Sequence, residues 1–133
     1  MKTEAFFDTN VLLYIPSAET EKAERARRLV EQGGVISVQV LDEVASVSFR
    51  KIGLGWPIIR RFLAVVRESL EVAPTDLSTH ELGLDIAERY RISVYDSMLL
   101  AAALESGCTT FWSEDLHNGQ LIEGQLTIRN PFA

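Results

Sequence analysis

Four acidic residues stand where their neighbours argue for burial. Asp8 interrupts the apolar run "EAFFDTNVLLYIP" (4–16), between two phenylalanines and Val11–Ile15. Glu43 lies in "SVQVLDEVASVSF", where Val40, Glu43, Val44 and Val47 share one helical face through spacings of three and four. Its neighbour Asp42 points away, toward solvent. Asp96, in "ISVYDSMLLAAALESG", falls on a face with Ile92, Leu99, Leu100 and Ala103. Asp115 follows the strand-like "TTFWS"; adjacent Glu114 competes for the same role, and Asp115 is preferred. An ionised carboxylate among apolar neighbours is costly unless a positive charge meets it.

Each acid also has a purely structural explanation. Asp8 suits a helix N-cap, and Glu43 the edge of an apolar stripe or a pair with an arginine. Asp96 fits the capping box Ser93-x-x-Asp96, and Asp115 a capped turn. Together they say more. Carboxylates converging on one point would repel and raise one another's pKa values. A hard divalent cation removes that repulsion, and oxygen-only ligation suits Mg²⁺ or Mn²⁺. Thr9, Asn10 and Ser113 are placed to supply neutral oxygens or to orient the acids.

Elements must bring these residues together. Residues 4–7 read as a buried strand, and "DTNVLLYIP" as a turn into a short helix. Ser17 to Gln32 reads as an amphipathic helix with Ala23, Ala26, Leu29 and Val30 on one side, stopped by Gly33-Gly34. "VISV" (35–38) is a β-branched strand, and Ser37 a cap for a helix over 38–52 that Gly53 and Gly55 end. Trp56-Pro57 opens a helix toward Leu70. "EVAP" reads as a strand, Asp76 or Ser78 as the cap of a helix through Tyr90, and Ser93 as the cap of another over 94–106. "TTFWS" (109–113) and "QLTIRNP" (125–131) are strands, the last at an edge. Strands alternating with helices predict a single α/β domain over residues 1–133, three layers with a short, mainly parallel sheet between helices. Ligands of such sheets bind beyond the carboxyl ends of the strands.

Composition sets limits. With 133 residues, 47% hydrophobic and 24% charged, the chain suits one folded domain rather than disorder. The lone cysteine, Cys108, excludes an internal disulfide and reads as a small core residue. No secretory leader or membrane span is legible, so a cytoplasmic protein is expected. A net charge of −6 disfavours bulk attraction to nucleic acid. Bound divalent cations would reverse the field locally. The arginine clusters "ERARR", "FRK" and "IRR" read as solvated helix faces. His80 and His117 lack zinc-type spacing, and no P-loop, GxSxG or GxGxxG is present.

"FFDTNVLLY", the helical Glu43, "YDSMLLAAAL" and "FWSEDL" together resemble the PIN-domain ribonucleases, and within them the VapC-like toxins of toxin–antitoxin pairs. The resemblance runs over nearly the whole chain. It implies that Asp8, Glu43, Asp96 and Asp115 form an acidic quartet holding Mg²⁺ or Mn²⁺. Ser113 would match a hydroxyl position before the last acid, and Asn10 the asparagine of the opening motif. It also implies an RNA substrate, a small inhibitory antitoxin and a homodimer. Asn118 is neutral where some relatives carry a further acid. Two alternatives remain at this point. An aspartate-nucleophile phosphatase would usually carry an acid where Asn10 stands and a catalytic lysine, but only Lys2, Lys22 and Lys51 are present. A non-catalytic RNA- or protein-binding module on the same fold would have no need of four converging acids. Helices around Trp56–Val66 and Ala18–Val30 are candidates for partner contacts.

Overall fold

A computed structural model describes residues 4–16 and 20–133. Its strands are β1 (Ala5–Phe7), β2 (Val35–Ser37), β3 (Glu71–Ala73), β4 (Thr110–Trp112), β5 (Leu121–Ile122) and β6 (Leu126–Arg129). They form a six-stranded sheet in the order β3-β2-β1-β4-β6-β5. All pairings are parallel except β5–β6. The helices α1 (Thr9–Leu12), α2 (Glu21–Glu31), α3 (Val38–Val47), α4 (Trp56–Ser69), α5 (Leu77–Tyr90) and α6 (Val94–Glu105) cover both faces of this sheet. The three-layer α/β expectation holds.

The short strands are apolar because both of their faces are covered. Phe6, Phe7, Val35, Ile36, Phe111 and Ile128 are all buried, and Phe6 stacks on Phe111 with ring centroids 5.4 Å apart. Helix α6 is buried on every side from Ser97 to Ala103, which explains a stretch without charge until Glu105. Cys108 is buried too, and burial pushes its thiol up to about 12, so it behaves as core.

Four local expectations change. Helix α2 begins at Glu21, where the Thr20 hydroxyl accepts from Ala23 N; residues 17–19 of the expected helix lie outside the described residues. Ser37 occupies the N-cap position of α3 but makes no capping bond; its hydroxyl is buried without a partner. The expected single helix over 38–52 is α3 followed by a π-helical turn, Ser48–Ile52, which Gly53 closes in the left-handed conformation at φ 81. Finally, β6 is not an edge strand. It lies between β4 and β5, and the hairpin that adds β5 turns through Glu123 and Gly124, both at positive φ. A two-residue strand is too short to show alternation, so β5 left no pattern to read.

Candidate active site

The chain order of the sheet decides where the acids meet. Strands β1 and β4 are parallel neighbours, and the ladder continues one step past them through Asp8 N to Trp112 O at 2.9 Å. Asp8 and the Ser113–Asp115 segment therefore emerge side by side at the carboxyl ends of adjacent strands. Strand β2, on the other side of β1, leads directly into α3 and delivers Glu43 one turn and a half along it. Helix α6 contributes Asp96 in its first turn, where Asp96 N donates to the Ser93 hydroxyl at 3.2 Å.

Asp8 is the innermost acid, with 5% of its surface exposed. It caps α1, as the structural alternative required: Thr9 N donates to Oδ1 at 2.7 Å. Its other oxygen, Oδ2, accepts from the Ser113 hydroxyl at 2.8 Å and from Asn10 Nδ2 at 3.0 Å. Burial pushes this carboxyl up to about 7. The Ser113 hydrogen bond works against that rise, while repulsion from Asp96 and Glu43 adds to it. Asp96 is also raised, first by burial and then by Glu43 and Asp115, with the Ser93 bond opposing. Asp96 is thus the acid that links the others electrostatically: it acts on Asp8, and it is acted on by Glu43 and Asp115.

Glu43 is not paired with an arginine. The Thr9 hydroxyl donates to Oε1 at 2.5 Å and Gln39 Nε2 to Oε2 at 2.9 Å. The same Gln39 nitrogen donates to the Tyr95 carbonyl at 3.0 Å, so this amide ties α3 to the first turn of α6, next to Asp96. Gln39 was not among the residues singled out from sequence. Its only legible signal is its place four residues before Glu43, on the same helical face.

Asn10 is the hub between β1 and β4. Its Nδ2 faces Asp8 Oδ2 and, at 3.2 Å, Asp115 Oδ2, while its Oδ1 accepts from Glu114 N at 3.1 Å. Rotating the amide by half a turn would set its oxygen against two carboxylates and its NH₂ against an N–H, so this orientation is the one the network dictates. Asn10 therefore orients the acids and does not offer its oxygen to a ligand. Asn10→Ala is expected to leave the fold intact and to weaken divalent-cation affinity about tenfold, because Asp115 loses its tie to Asp8. Isothermal titration with Mn²⁺ would measure this.

Glu114 and Asp115 separate cleanly. Glu114 turns away from the other acids to the Tyr14 hydroxyl, 2.5 Å away, and to the Lys22 ammonium, and Lys22 first and Tyr14 second hold its carboxyl below the usual range. That clamp fastens α2 to the end of β4. Asp115 instead faces Asn10 and lies close enough to Asp96 to raise it. Asn118 caps the following loop, accepting from Asn130 N at 2.8 Å. Exposed His80 and His117 make no part of the acidic network.

The donor set has the chemistry of a hard-cation site: four carboxylates, oxygen donors only, with Asp8 held close to neutrality. It is not a closed cage. Among the described residues no three acidic, histidine or cysteine side chains are gathered tightly enough to grip one ion. A groove of about 880 Å³ opens beside the acids, walled by Val38, Pro74, Val94 and Met98, with Gln39 shared between groove and site.

A mainly parallel sheet with acids at the ends of β1 and β4 and on the flanking helices defines the class: an α/β domain with a carboxylate-rich site at its strand ends. The PIN domain family model matches residues 5–117, and the chain belongs to that family. No curated protein sequence gives a match. Solved structures similar to it include a toxin–antitoxin complex from Klebsiella pneumoniae, 18% identical with a TM-score of 0.73, covering 96% of this chain and 98% of that one. A DNA-bound VapBC from Salmonella typhimurium is 23% identical with a TM-score of 0.68, covering 97% and 98%. VapC20 from Mycobacterium tuberculosis, described as a toxin that cleaves the sarcin–ricin loop, is 18% identical with a TM-score of 0.65, covering 84% and 92%. The resemblance read from "FFDTNVLLY" and the later motifs is thereby borne out at the level of family and fold.

Proposed function

We propose that the protein is a Mg²⁺- or Mn²⁺-dependent endoribonuclease and the toxin of a toxin–antitoxin pair, held inactive by a small antitoxin. The observation that carries this reading is the arrangement of Asp8 and Asp115 at the ends of β1 and β4 with Glu43 on α3 and Asp96 on α6, in which Asp96 and Glu43 act on Asp8 and Asp115 acts on Asp96. The toxins and toxin–antitoxin complexes among the structural neighbours support it.

Asp8, Asp96 and Asp115, which are not gathered round one point without an ion, would draw together to hold it, with Glu43 as a further ligand or as the group that orients the attacking water. A bound divalent ion would supply a lowered water pKa and a counter-charge for the phosphodiester oxygens. The chain's own residues do the rest. Thr9 and Gln39 fix both oxygens of Glu43, so the carboxylate is presented in one orientation. Ser113 and Asn10 fix Asp8 Oδ2, and Asn10 also restrains Asp115. Without a cation the site repels a phosphodiester, which makes RNA binding at the acids itself ion-dependent. Asn10 stands where a phosphatase of the aspartate-nucleophile type carries its second acid, and its amide is already committed to two carboxylates and Glu114 N.

A homodimer is part of this proposal. Val38, Val94 and Tyr95 beside the groove, with Leu77 and Leu84 on α5, are exposed apolar side chains that a second copy would cover. The working compartment is proposed to be the cytoplasm, where RNA is available; among the described residues no helix is long and apolar enough to cross a membrane.

The test is cleavage of RNA by the purified protein. Activity is expected with Mg²⁺ or Mn²⁺, to be abolished by EDTA and restored by excess Mn²⁺. Asp96→Asn is expected to lower the rate about a hundredfold while the circular-dichroism spectrum stays unchanged. EDTA-resistant cleavage by a folded Asp96→Asn protein would sink the proposal.

A further inference from the structure

Glu114 adjoins a member of the acidic cluster and yet stays out of it, and two side chains from other elements hold it there. The hydroxyl of Tyr14, just past α1, donates to its Oε1 at 2.5 Å. The ammonium of Lys22, in the first turn of α2, is ion-paired with its Oε2. Lys22 Nζ also donates to the Tyr14 hydroxyl at 3.3 Å. It lies 5.2 Å from the centroids of both the Tyr14 and the Phe132 rings, which meet edge to face with centroids 5.1 Å apart. Ring faces attract a cation at that distance, so Glu114 and the two rings together fix where the ammonium sits.

Stability does not account for this clamp. The Lys22 and Glu114 side chains are 45% and 24% exposed, and ion pairs open to water contribute little to folding. Its position says more. The backbone N–H of Glu114 donates to Asn10 Oδ1 at 3.1 Å, and Asn10 Nδ2 reaches both Asp8 Oδ2 and Asp115 Oδ2. Asn10, Leu13, Tyr14 and Glu114 line one cavity of about 230 Å³. A Glu114 carboxylate released from Tyr14 and Lys22 therefore has open space beside Asn10, the residue that touches two of the acids. A divalent cation among those acids would draw it in, since hard cations take up carboxylate oxygens.

We propose that Lys22 and Tyr14 are positioning residues of the acidic site, acting through Glu114: they keep this carboxylate from joining Asp115 as a ligand of the ion. An added carboxylate has two opposite effects. It tightens cation binding, because the affinity of an oxygen site rises with the charge of its ligands. It also slows hydrolysis, because it fills a position that water or a phosphodiester oxygen needs and cancels positive charge that acidifies the water. Restraining Glu114 thus gives up ion affinity and keeps the site open. The inference rests on the acids being a divalent-cation site, and on the ribonuclease reading for the rate alone.

The test is calorimetric titration of the full chain with Mn²⁺, with cleavage of an oligoribonucleotide read separately. Y14F/K22M removes both donors and keeps a ring against Phe132. It is expected to bind Mn²⁺ about tenfold more tightly than the parent protein and to cut about tenfold more slowly. Adding E114Q should return both values to within about twofold of the parent. Lys22→Arg alone keeps the ion pair and should also match the parent. Damage to the fold would lower affinity and rate together, and a third substitution would not reverse it. Melts in EDTA should agree within a few degrees, because the pair is exposed. Unchanged or weaker Mn²⁺ binding by Y14F/K22M, or a gain that survives E114Q, overturns the inference and leaves the ribonuclease reading standing. The expected affinities in a protein that cuts no RNA overturn the ribonuclease reading alone. A parent protein that binds no Mn²⁺ overturns both.

Discussion

Asp8→Asn is expected to melt higher than the parent protein at pH 8 in EDTA, and to cut RNA about a thousandfold more slowly with Mg²⁺ present. The stability gain follows from the carboxyl's displacement. In the unfolded chain Asp8 titrates near its ordinary value of 3.8, and in the fold it is pushed up to about 7 by burial, against the Ser113 hydrogen bond, and by the repulsion of Asp96 and Glu43. Between those values the folded state holds a proton that the unfolded state lacks. Stability therefore falls as pH rises through the window. Between pH 5 and pH 8 the loss is on the order of 3 kcal/mol from this group, or roughly 10 °C in melting temperature. Asp96, raised mainly by burial, pulls the same way. The lowered carboxyls, Asp76 through its bonds to Thr79 and Glu114 through Lys22 and Tyr14, lose their contribution only as pH falls through the acid range, below this window.

Asparagine removes the charge but keeps the shape. Its oxygen can still accept from Thr9 N, and Ser113 can turn its hydroxyl to accept. One contact worsens, because an NH₂ in place of Oδ2 faces Asn10 Nδ2, and that returns part of the gain. A net rise of about 2 kcal/mol at pH 8 and little at pH 5 is the expected result. Thermal melts at both pH values would show it; equal pH slopes for the two proteins would remove Asp8 as the source. In the proposed mechanism the strain disappears when a cation arrives, so the same carboxylate that weakens the fold also drives metal uptake.

Such carboxylates are legible in sequence because they violate a local rule. Asp8 between Phe7 and Val11, and Glu43 and Asp96 on apolar helix faces, conflict with burial in ways that a single chain displays. The parallel α/β class is legible for a related reason: strands covered on both faces must be apolar, and the helices between them carry period and caps. What is not legible depends on geometry between elements. Gln39 reads as any polar helix residue until α6 is packed against α3 and the Tyr95 carbonyl lies within its reach. Glu114 and Asp115 are adjacent and chemically alike, and only the position of Lys22, nearly a hundred residues earlier, separates the structural acid from the acid in the cluster. The π-helical turn at Ser48–Ile52 has no compositional mark at all, because it differs from an α-helix by one residue of hydrogen-bond register.

Gly34→Ala is expected to lose about 3 kcal/mol or more of stability, and with it the alignment of the acids. Gly34 links α2 to β2 at φ 151 and its carbonyl accepts from Glu71 N at 2.9 Å, which ties the start of β2 to β3. A Cβ there would lie 2.7 Å from the Ala5 carbonyl oxygen and 2.8 Å from Phe7 Cε1. Neither neighbour can give way cheaply. The carbonyl belongs to β1, which is hydrogen-bonded between β2 and β4, and the Phe7 ring is wholly buried. Moving β1 moves Asp8, the residue that follows it, relative to Ser113 just past β4 and Thr9 beside Glu43. Stability and cleavage should therefore fall together, the opposite of the trade expected for Asp8→Asn. Gly53→Ala is the control: its φ is 81, but nothing lies within 4 Å of the added methyl. That substitution should cost only the left-handed backbone penalty of about 1–2 kcal/mol and leave cleavage unchanged. Melting curves of the two alanine variants decide the matter, since equal losses would mean that β1 tolerates the methyl and that backbone conformation alone requires glycine at position 34.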